Sequence, residues 1–273
     1  MPNTILLDFD GTLTDVEEEA KPFLVEWNIL LSQATGIPAS TLLGGTEKVK
    51  SEVLSDPNWY GWKVNGHIVA PATADPYVLA TTVYQTLFDR IEKNGSYDIS
   101  SFQRSRDQTM QGIFKEAYKK AGTAFVEGAK DFLDALLRYF SVRIVTNSGT
   151  DSVKAKLQKL GDYSIQVIGD AKKYVVADQC DGVLESMQLK GLERPVFLRR
   201  PQYKRILDQF DPKETAVVGD IYELDLALPE HMGFTVVQIS TPNTPSYEIA
   251  HHEGRPRNFF ARNYSEALGF LFG

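Results

Sequence analysis

Short apolar runs that stop abruptly on polar residues, with helix-like stretches between them, constrain the fold of this chain more than any other feature. Ile5-Leu6-Leu7 stops at Asp8, Val142-Arg143-Ile144-Val145 at Thr146-Asn147-Ser148-Gly149, and Ala216-Val217-Val218 at Gly219-Asp220. Ile165-Gln166-Val167-Ile168, ending in Gly169-Asp170, and Thr235-Val236-Val237-Gln238-Ile239 are further runs of this kind. Between them, Phe125 to Phe140 repeats apolar residues three and four apart, Thr150 to Leu160 opens on a capping-type threonine, and Tyr203 to Phe210 is stopped by Asp211-Pro212. Strands alternating with helices predict a parallel sheet with helices on its faces.

The pattern changes between Asp15 and about Phe125. Ala20 to Ala34, Pro76 to Lys93 and Asp107 to Ala121 read as long helices, and no strong strand candidate lies among them. A separate N-terminal helical domain is excluded because the Ile5-Leu6-Leu7 strand precedes the lobe. The expected architecture is therefore a Rossmann-like α/β core, residues 1–15 and 125–273, with an all-helical cap, residues 16–124, inserted after the first strand. A chain of 273 residues has room for a core and a second lobe.

In an open parallel sheet, function collects beyond the carboxyl ends of the strands. Asp8 and Asp10, Thr146 and Asn147, and Asp220 all stand at such ends. Residues two apart in an extended segment project to one side, so Asp8 and Asp10 share a crevice, and Gly11 permits a tight departure from the strand. Crowded carboxylates are costly unless a cation neutralises them. Hard oxygen ligands suit Mg²⁺, which takes a few carboxylates, water and substrate phosphate. The pair reads as a metal and phosphate site.

Composition narrows the partners. A net charge of -7 and a pI near 5.2 argue against nucleic acid, whose backbone selects a basic face. The Met1-Pro2-Asn3-Thr4 start has no positive charge, and no apolar segment approaches the ~20 residues that cross a bilayer. Cys180 alone cannot form an internal disulfide and reads as a buried, inert thiol. The expectation is a soluble, cytoplasmic protein with no membrane partner; oligomeric state is left open.

The segment Asp8-Phe9-Asp10-Gly11-Thr12 resembles the DxDxT signature of the haloacid dehalogenase superfamily. Ile144 to Gly149 resembles its second motif, and Val217 to Asp225 resembles the acidic fourth motif in its GDxxxxD form. The lobe occupies the position of that family's C1 cap. The resemblance implies an aspartyl-phosphate mechanism. Asp8 would attack phosphorus, and Asp10 would protonate the leaving oxygen and later activate water. Mg²⁺ would be held by Asp8, the backbone carbonyl of Asp10, and Asp220. Thr146 and the backbone at Asn147 would bind phosphate, and Asp225 would support the metal's water or orient its neighbours.

A carboxylate at Asp10 favours phosphatase or phosphomutase over the dehalogenase and phosphonate-cleaving branches, which lack one there. A non-catalytic scaffold retaining the fold is the alternative of a different class. The third motif, usually lysine followed by proline, is the departure. Arg200 before Pro201 is the first choice for its cation, then Arg199, with Lys172 and Lys173 open. Taken singly, Thr146 to Gly149 also fits a helix cap, and Asp225 fits a cap equally well. Asp56 to Pro71, with Trp59, Tyr60, Trp62, Lys63 and His67, reads as aromatic packing within the lobe or as a specificity loop. His251 and His252 lack ligand spacing, and Asn263 to Gly273 reads as a closing amphipathic helix.

Overall fold

In the computed structural model, residues 2–273 are described. The strands are β1 Thr4–Leu7, β2 Gly61–Val64, β3 His67–Pro71, β4 Ser141–Val145, β5 Gln166–Ile168, β6 Ser186–Met187, β7 Val196–Phe197, β8 Thr215–Gly219, β9 Thr235–Ile239 and β10 Asn258–Ala261. Six of them form one sheet in the order β10-β9-β8-β1-β4-β5, and every pairing in it is parallel. Leu7 stands opposite Ile144 on one side and Val218 on the other. Asp8 therefore leaves the sheet between the ends of β4 and β8.

The helices are α1 Val16–Thr35, α2 Ala39–Ser55, α3 Pro76–Asn94, α4 Ser100–Gln103, α5 Arg106–Tyr118, α6 Ala129–Tyr139, α7 Thr150–Leu160, α8 Pro201–Leu207, α9 Ala227–His231, α10 Ser246–His251 and α11 Tyr264–Phe272. Strand alternation divides the core between them. Ile5 and Leu7 pack with Phe132, Leu136, Leu157 and Leu271 of α6, α7 and α11. Leu6 points the other way, to Tyr203, Leu207 and Leu228 of α8 and α9. Covered on both faces, β1 has no use for polar alternation, which is why it reads as a continuous apolar run.

Helices α1 to α5 lie between β1 and β4. Asp15 caps α1 by accepting the Glu18 N–H at 3.1 Å, and Asp75 caps α3 by accepting those of Tyr77 (2.6 Å) and Val78 (3.2 Å). Phe23, Trp27 and Leu31 of α1 meet Tyr84 and Phe88 of α3 in a core of their own. The lobe departs from the all-helical expectation at one place: β2 and β3 form an antiparallel hairpin. Its turn is Asn65-Gly66, both at positive φ (50 and 82), the conformation of a tight primed turn.

Both ends of the lobe are stitched together. The Asp15 N–H donates to the Ala124 carbonyl at 3.1 Å and the Val126 N–H to that of Leu13 at 3.0 Å. The hairpin side is fastened to the sheet domain as well. Arg194 donates to the Pro57 carbonyl at 2.8 Å while forking onto Glu223 at 2.8 and 2.7 Å. Trp62 stacks on Tyr174 with ring centroids 4.8 Å apart.

Candidate active site

Asp8 is almost fully buried and is met by one cation. Lys173 Nζ donates to Asp8 at 2.6 Å and to Asp225 at 2.8 Å. Asp220 completes the group: Asp8, Asp220 and Asp225 each offer an oxygen within 4.8 Å of the others. Thr12 Oγ1 donates to Asp220 at 3.0 Å and lies 3.4 Å from Asp8. Gly11 is obligatory on two counts. Its φ is +83, and a Cβ would stand 2.3 Å from an Asp220 oxygen.

The electrostatics of this cluster do not balance by themselves. Burial pushes the Asp8 carboxyl up to about 8, with Lys173 pulling down and Asp225 pushing further up. Burial raises Asp220 well above the usual carboxylate range, and the charges of Asp225 and Asp8 add to it. For Lys173 burial pulls the ammonium down, but Asp225 and Asp8 outweigh it and hold the group charged. Three buried carboxylates against one ammonium leave an excess of negative charge. A hard divalent cation among these oxygens removes that excess, so the donor set fits one.

Asp10 stands apart from that cluster, with a side chain 27% exposed. Its carboxylate accepts from Ser148 Oγ at 2.6 Å, Thr146 Oγ1 at 3.3 Å and Lys156 Nζ at 3.1 Å. Lys156, on α7, also donates to Glu19 of α1 at 2.7 Å. Glu19 is buried and takes the Ala124 N–H at 3.2 Å, where the lobe rejoins the core. Lys156 and Glu19 carried no sequence signal: they belong to no motif, and only the fold brings them to Asp10.

Thr146 and Asn147 lie together at the end of β4. Thr146 reaches Asp10, while Asn147 Oδ1 accepts the backbone N–H of Lys173 at 2.7 Å. That bond turns the segment after β5 back beneath the crevice. Asp170 and Lys172 adopt positive φ (50 and 47) on the way, a conformation costly for side chains and held by the surroundings. At Gly169 a Cβ would meet the Thr150 nitrogen at 2.4 Å.

The expectation for Arg200 is not met. Its buried guanidinium donates to the carbonyls of Phe197 (3.0 Å), Val69 (2.9 Å) and Lys173, not to Asp8. Burial pulls it down to about 10, which leaves it charged at neutral pH. The reason is topological. The β7 strand before Arg199 and Arg200 pairs antiparallel with β6, outside the main sheet, so its end does not open on the crevice. Arg199 turns to the Asp178 carbonyl and Glu185. Lys173 fills the position beside Asp8. Asp225 does not cap a helix by its side chain. It lies within a π-helical turn, Tyr222–Leu226, and its carboxylate takes Lys173 Nζ and the Ile221 N–H at 3.1 Å.

The model of the haloacid dehalogenase-like hydrolases matches residues 2–233, and the chain belongs to that family. No curated protein matches the sequence. Solved structures share the fold at low identity. The putative HAD-hydrolase YfnB from Bacillus subtilis, bound to magnesium, is 14% identical with a TM-score of 0.51, over 99% of this chain and 98% of that one. A predicted phosphoglycolate phosphatase from Haemophilus somnus is 17% identical with a TM-score of 0.53, over 99% and 98%. A putative β-phosphoglucomutase from Thermotoga maritima is 12% identical with a TM-score of 0.50, over 100% and 99%. Among the described residues, no helix is long and apolar enough to cross a membrane.

Proposed function

We propose that the chain is a Mg²⁺-dependent phosphatase acting on a small phosphorylated metabolite, with residues 1–15 and 125–273 as catalytic core and 16–124 as cap. The observation that carries this reading is the contrast between its two leading carboxylates. Asp8 is buried against Lys173 in an acidic cluster, whereas Asp10 is held outside it by two hydroxyls and Lys156. That contrast supports reading Asp8 as the nucleophile and Asp10 as the proton carrier.

Asp8 attacks phosphorus, and the bond from phosphorus to the ester oxygen breaks as Asp10 gives that oxygen a proton. Asp10 then takes a proton from water, which attacks the aspartyl-phosphate and frees Asp8. Thr146 and the backbone at Asn147 hold phosphoryl oxygens. Lys173 replaces Arg200 in the assignment, pairing with the nucleophile and the transferred group. Mg²⁺ would be held by Asp8, Asp220 and the Asp10 carbonyl, with Asp225 beside them, and would supply charge neutralisation on the phosphoryl oxygens.

Phosphate release measured with and without Mg²⁺ tests the reading. Excess chelator is expected to abolish turnover and added Mg²⁺ to restore it; full turnover in chelator would contradict the metal site. Lys156 is the positioning group for Asp10. Lys156→Met should lower kcat roughly 10²-fold on alkyl phosphates, the cost of a misplaced catalytic group, with KM little changed. Activated aryl phosphates, which need less protonation of the leaving oxygen, should lose less. Equal losses on both substrates would assign Lys156 to folding alone.

A further inference from the structure

The cap is gripped from the sheet domain by the segment between β6 and β7. Asn58, in the turn that joins α2 to β2, accepts with Oδ1 the backbone N–H of Glu193 at 2.8 Å and that of Arg194 at 3.4 Å. Arg194 Nε donates to the Pro57 carbonyl at 2.8 Å, while its two terminal nitrogens fork onto Glu223 at 2.8 and 2.7 Å. One guanidinium thus spans the two lobes. Its flat array of donors allows this, and the compact ammonium of a lysine would not reproduce it.

The carboxylate at the far end of the span stands inside the fourth motif. Glu223 has a fully buried side chain, takes a second donor from Tyr247 Oη at 2.7 Å, and lies between Asp220 and Asp225 in the π-helical turn Tyr222–Leu226. That turn is tightly built. The Asp225 N–H donates to the Ile221 carbonyl at 2.9 Å, and at Gly219 a Cβ would stand 2.6 Å from that of Asp225. A shift at Glu223 therefore reaches both acidic neighbours. The hairpin rests on the same turn, with Ala70 and Ala74 packed against Leu224 and Ile221.

A buried carboxylate keeps its place only while its counter-charge stays beside it. Pro57 and Asn58 cover the Arg194 side of the pair, and a pair kept from water holds more strongly. Releasing the hairpin admits water to the fork and loosens Glu223, and with it the turn that carries Asp220 and Asp225.

We infer that Arg194 is a positioning residue that links the seating of the cap hairpin to Mg²⁺ binding at the Asp8, Asp220 and Asp225 cluster. This rests on the metal site of the phosphatase reading above. Such linkage is reciprocal: the factor by which Mg²⁺ steadies the hairpin is the factor by which a released hairpin weakens Mg²⁺. Groups that support metal ligands from outside are worth about 10–100-fold in metal affinity.

The test reads binding and exchange rather than turnover. Backbone hydrogen exchange over residues 57–71 is measured with and without Mg²⁺, alongside calorimetric Mg²⁺ titration. Mg²⁺ should slow that exchange about 10-fold in the parent protein and leave it unchanged in Arg194→Met and Asn58→Ala. Arg194→Met should bind Mg²⁺ about 10–100-fold more weakly. Asn58→Ala, which frees the cap side and leaves the Glu223 fork in place, should lose about 10-fold. Arg90→Met, which breaks a pairing with Glu52 inside the cap, should change neither quantity. Parental exchange that ignores Mg²⁺ overturns the inference, as does parent-like Mg²⁺ affinity in folded Arg194→Met or an equal loss in Arg90→Met. Should Arg194→Met not fold, Asn58→Ala decides: parental affinity with Mg²⁺-dependent exchange overturns the link. A parent protein that binds no Mg²⁺ sinks the metal reading and the inference together, whereas binding that leaves the hairpin unaffected sinks the inference alone.

Discussion

Asp8→Asn is expected to abolish phosphate release while leaving the protein folded. An amide cannot form an acyl-phosphate, and removing a covalent nucleophile costs on the order of 10⁶ in turnover. The fold should tolerate the change because the carboxylate is a burden there. Burial holds the folded-state pKa of Asp8 near 8, above the ordinary carboxyl value. A carboxyl raised on folding lowers stability as pH climbs through that interval. Without metal, the amide keeps the shape and removes a carboxyl whose ionisation burial opposes. In chelator at pH 7, calorimetry should therefore find a Tm equal to or above that of the parent protein. A Tm well below the parent's, together with lost activity, would mean that Asp8 serves structure rather than chemistry.

Lys173→Ala and Arg200→Ala should fail in opposite ways. Lys173 Nζ is the ammonium beside Asp8 and Asp225, so its loss removes a charge facing the transferred phosphoryl group. Preorganised groups of this kind are worth about 10²–10³ in kcat. Arg200 touches no acidic residue of the cluster. Its guanidinium serves the carbonyls of Phe197, Val69 and Lys173, and each buried acceptor left without a donor costs about 1–3 kcal/mol. Arg200→Ala should lower stability by several kcal/mol while folded molecules retain turnover within a few-fold. Circular dichroism melts and rates per folded molecule separate the two. A large kcat loss in folded Arg200→Ala, with little in Lys173→Ala, would return the cation to Arg200.

The exchange of Arg200 for Lys173 marks where the sequence stops being legible. Apolar runs ending on polar residues expose strands and helices because burial on both faces demands that composition, and β1, β4, β8 and β9 follow from it. Which strands lie in the main sheet is a non-local matter. Val196-Phe197 is apolar like the others, yet it pairs with Ser186–Met187, and no local signal separates the cases. The turn that brings Lys173 to Asp8 depends on the Asn147 side chain and on positive φ at Asp170 and Lys172. Those are tertiary constraints that override residue preference.

The cap hairpin, by contrast, carries a local signal. Asn65-Gly66 between Trp62-Lys63-Val64 and His67-Ile68-Val69 is a primed-turn dipeptide flanked by strand-forming residues. Its strands are short, and the long helical stretches on either side mask them. Lys156 and Glu19 are the opposite case. They lie 137 positions apart, and nothing in either neighbourhood announces Asp10. Trp59 adds a third: its composition fits a packed lobe, and only its exposure in the fold shows that the ring is not part of that core.

The central claim is that phosphate passes through Asp8 with Asp10 moving the protons. The most direct measurement uses Asp10→Asn, which leaves Asp8 able to attack but withholds general acid–base assistance, typically worth ~10²–10⁴-fold. An aryl phosphate, whose leaving oxygen needs little protonation, should still load the variant, and release by water should then be slow. Mass spectrometry after brief mixing in Mg²⁺ is expected to find phosphate on Asp8 and nowhere else. Phosphate on another residue, or no covalent adduct in a variant that still turns over, would contradict the account.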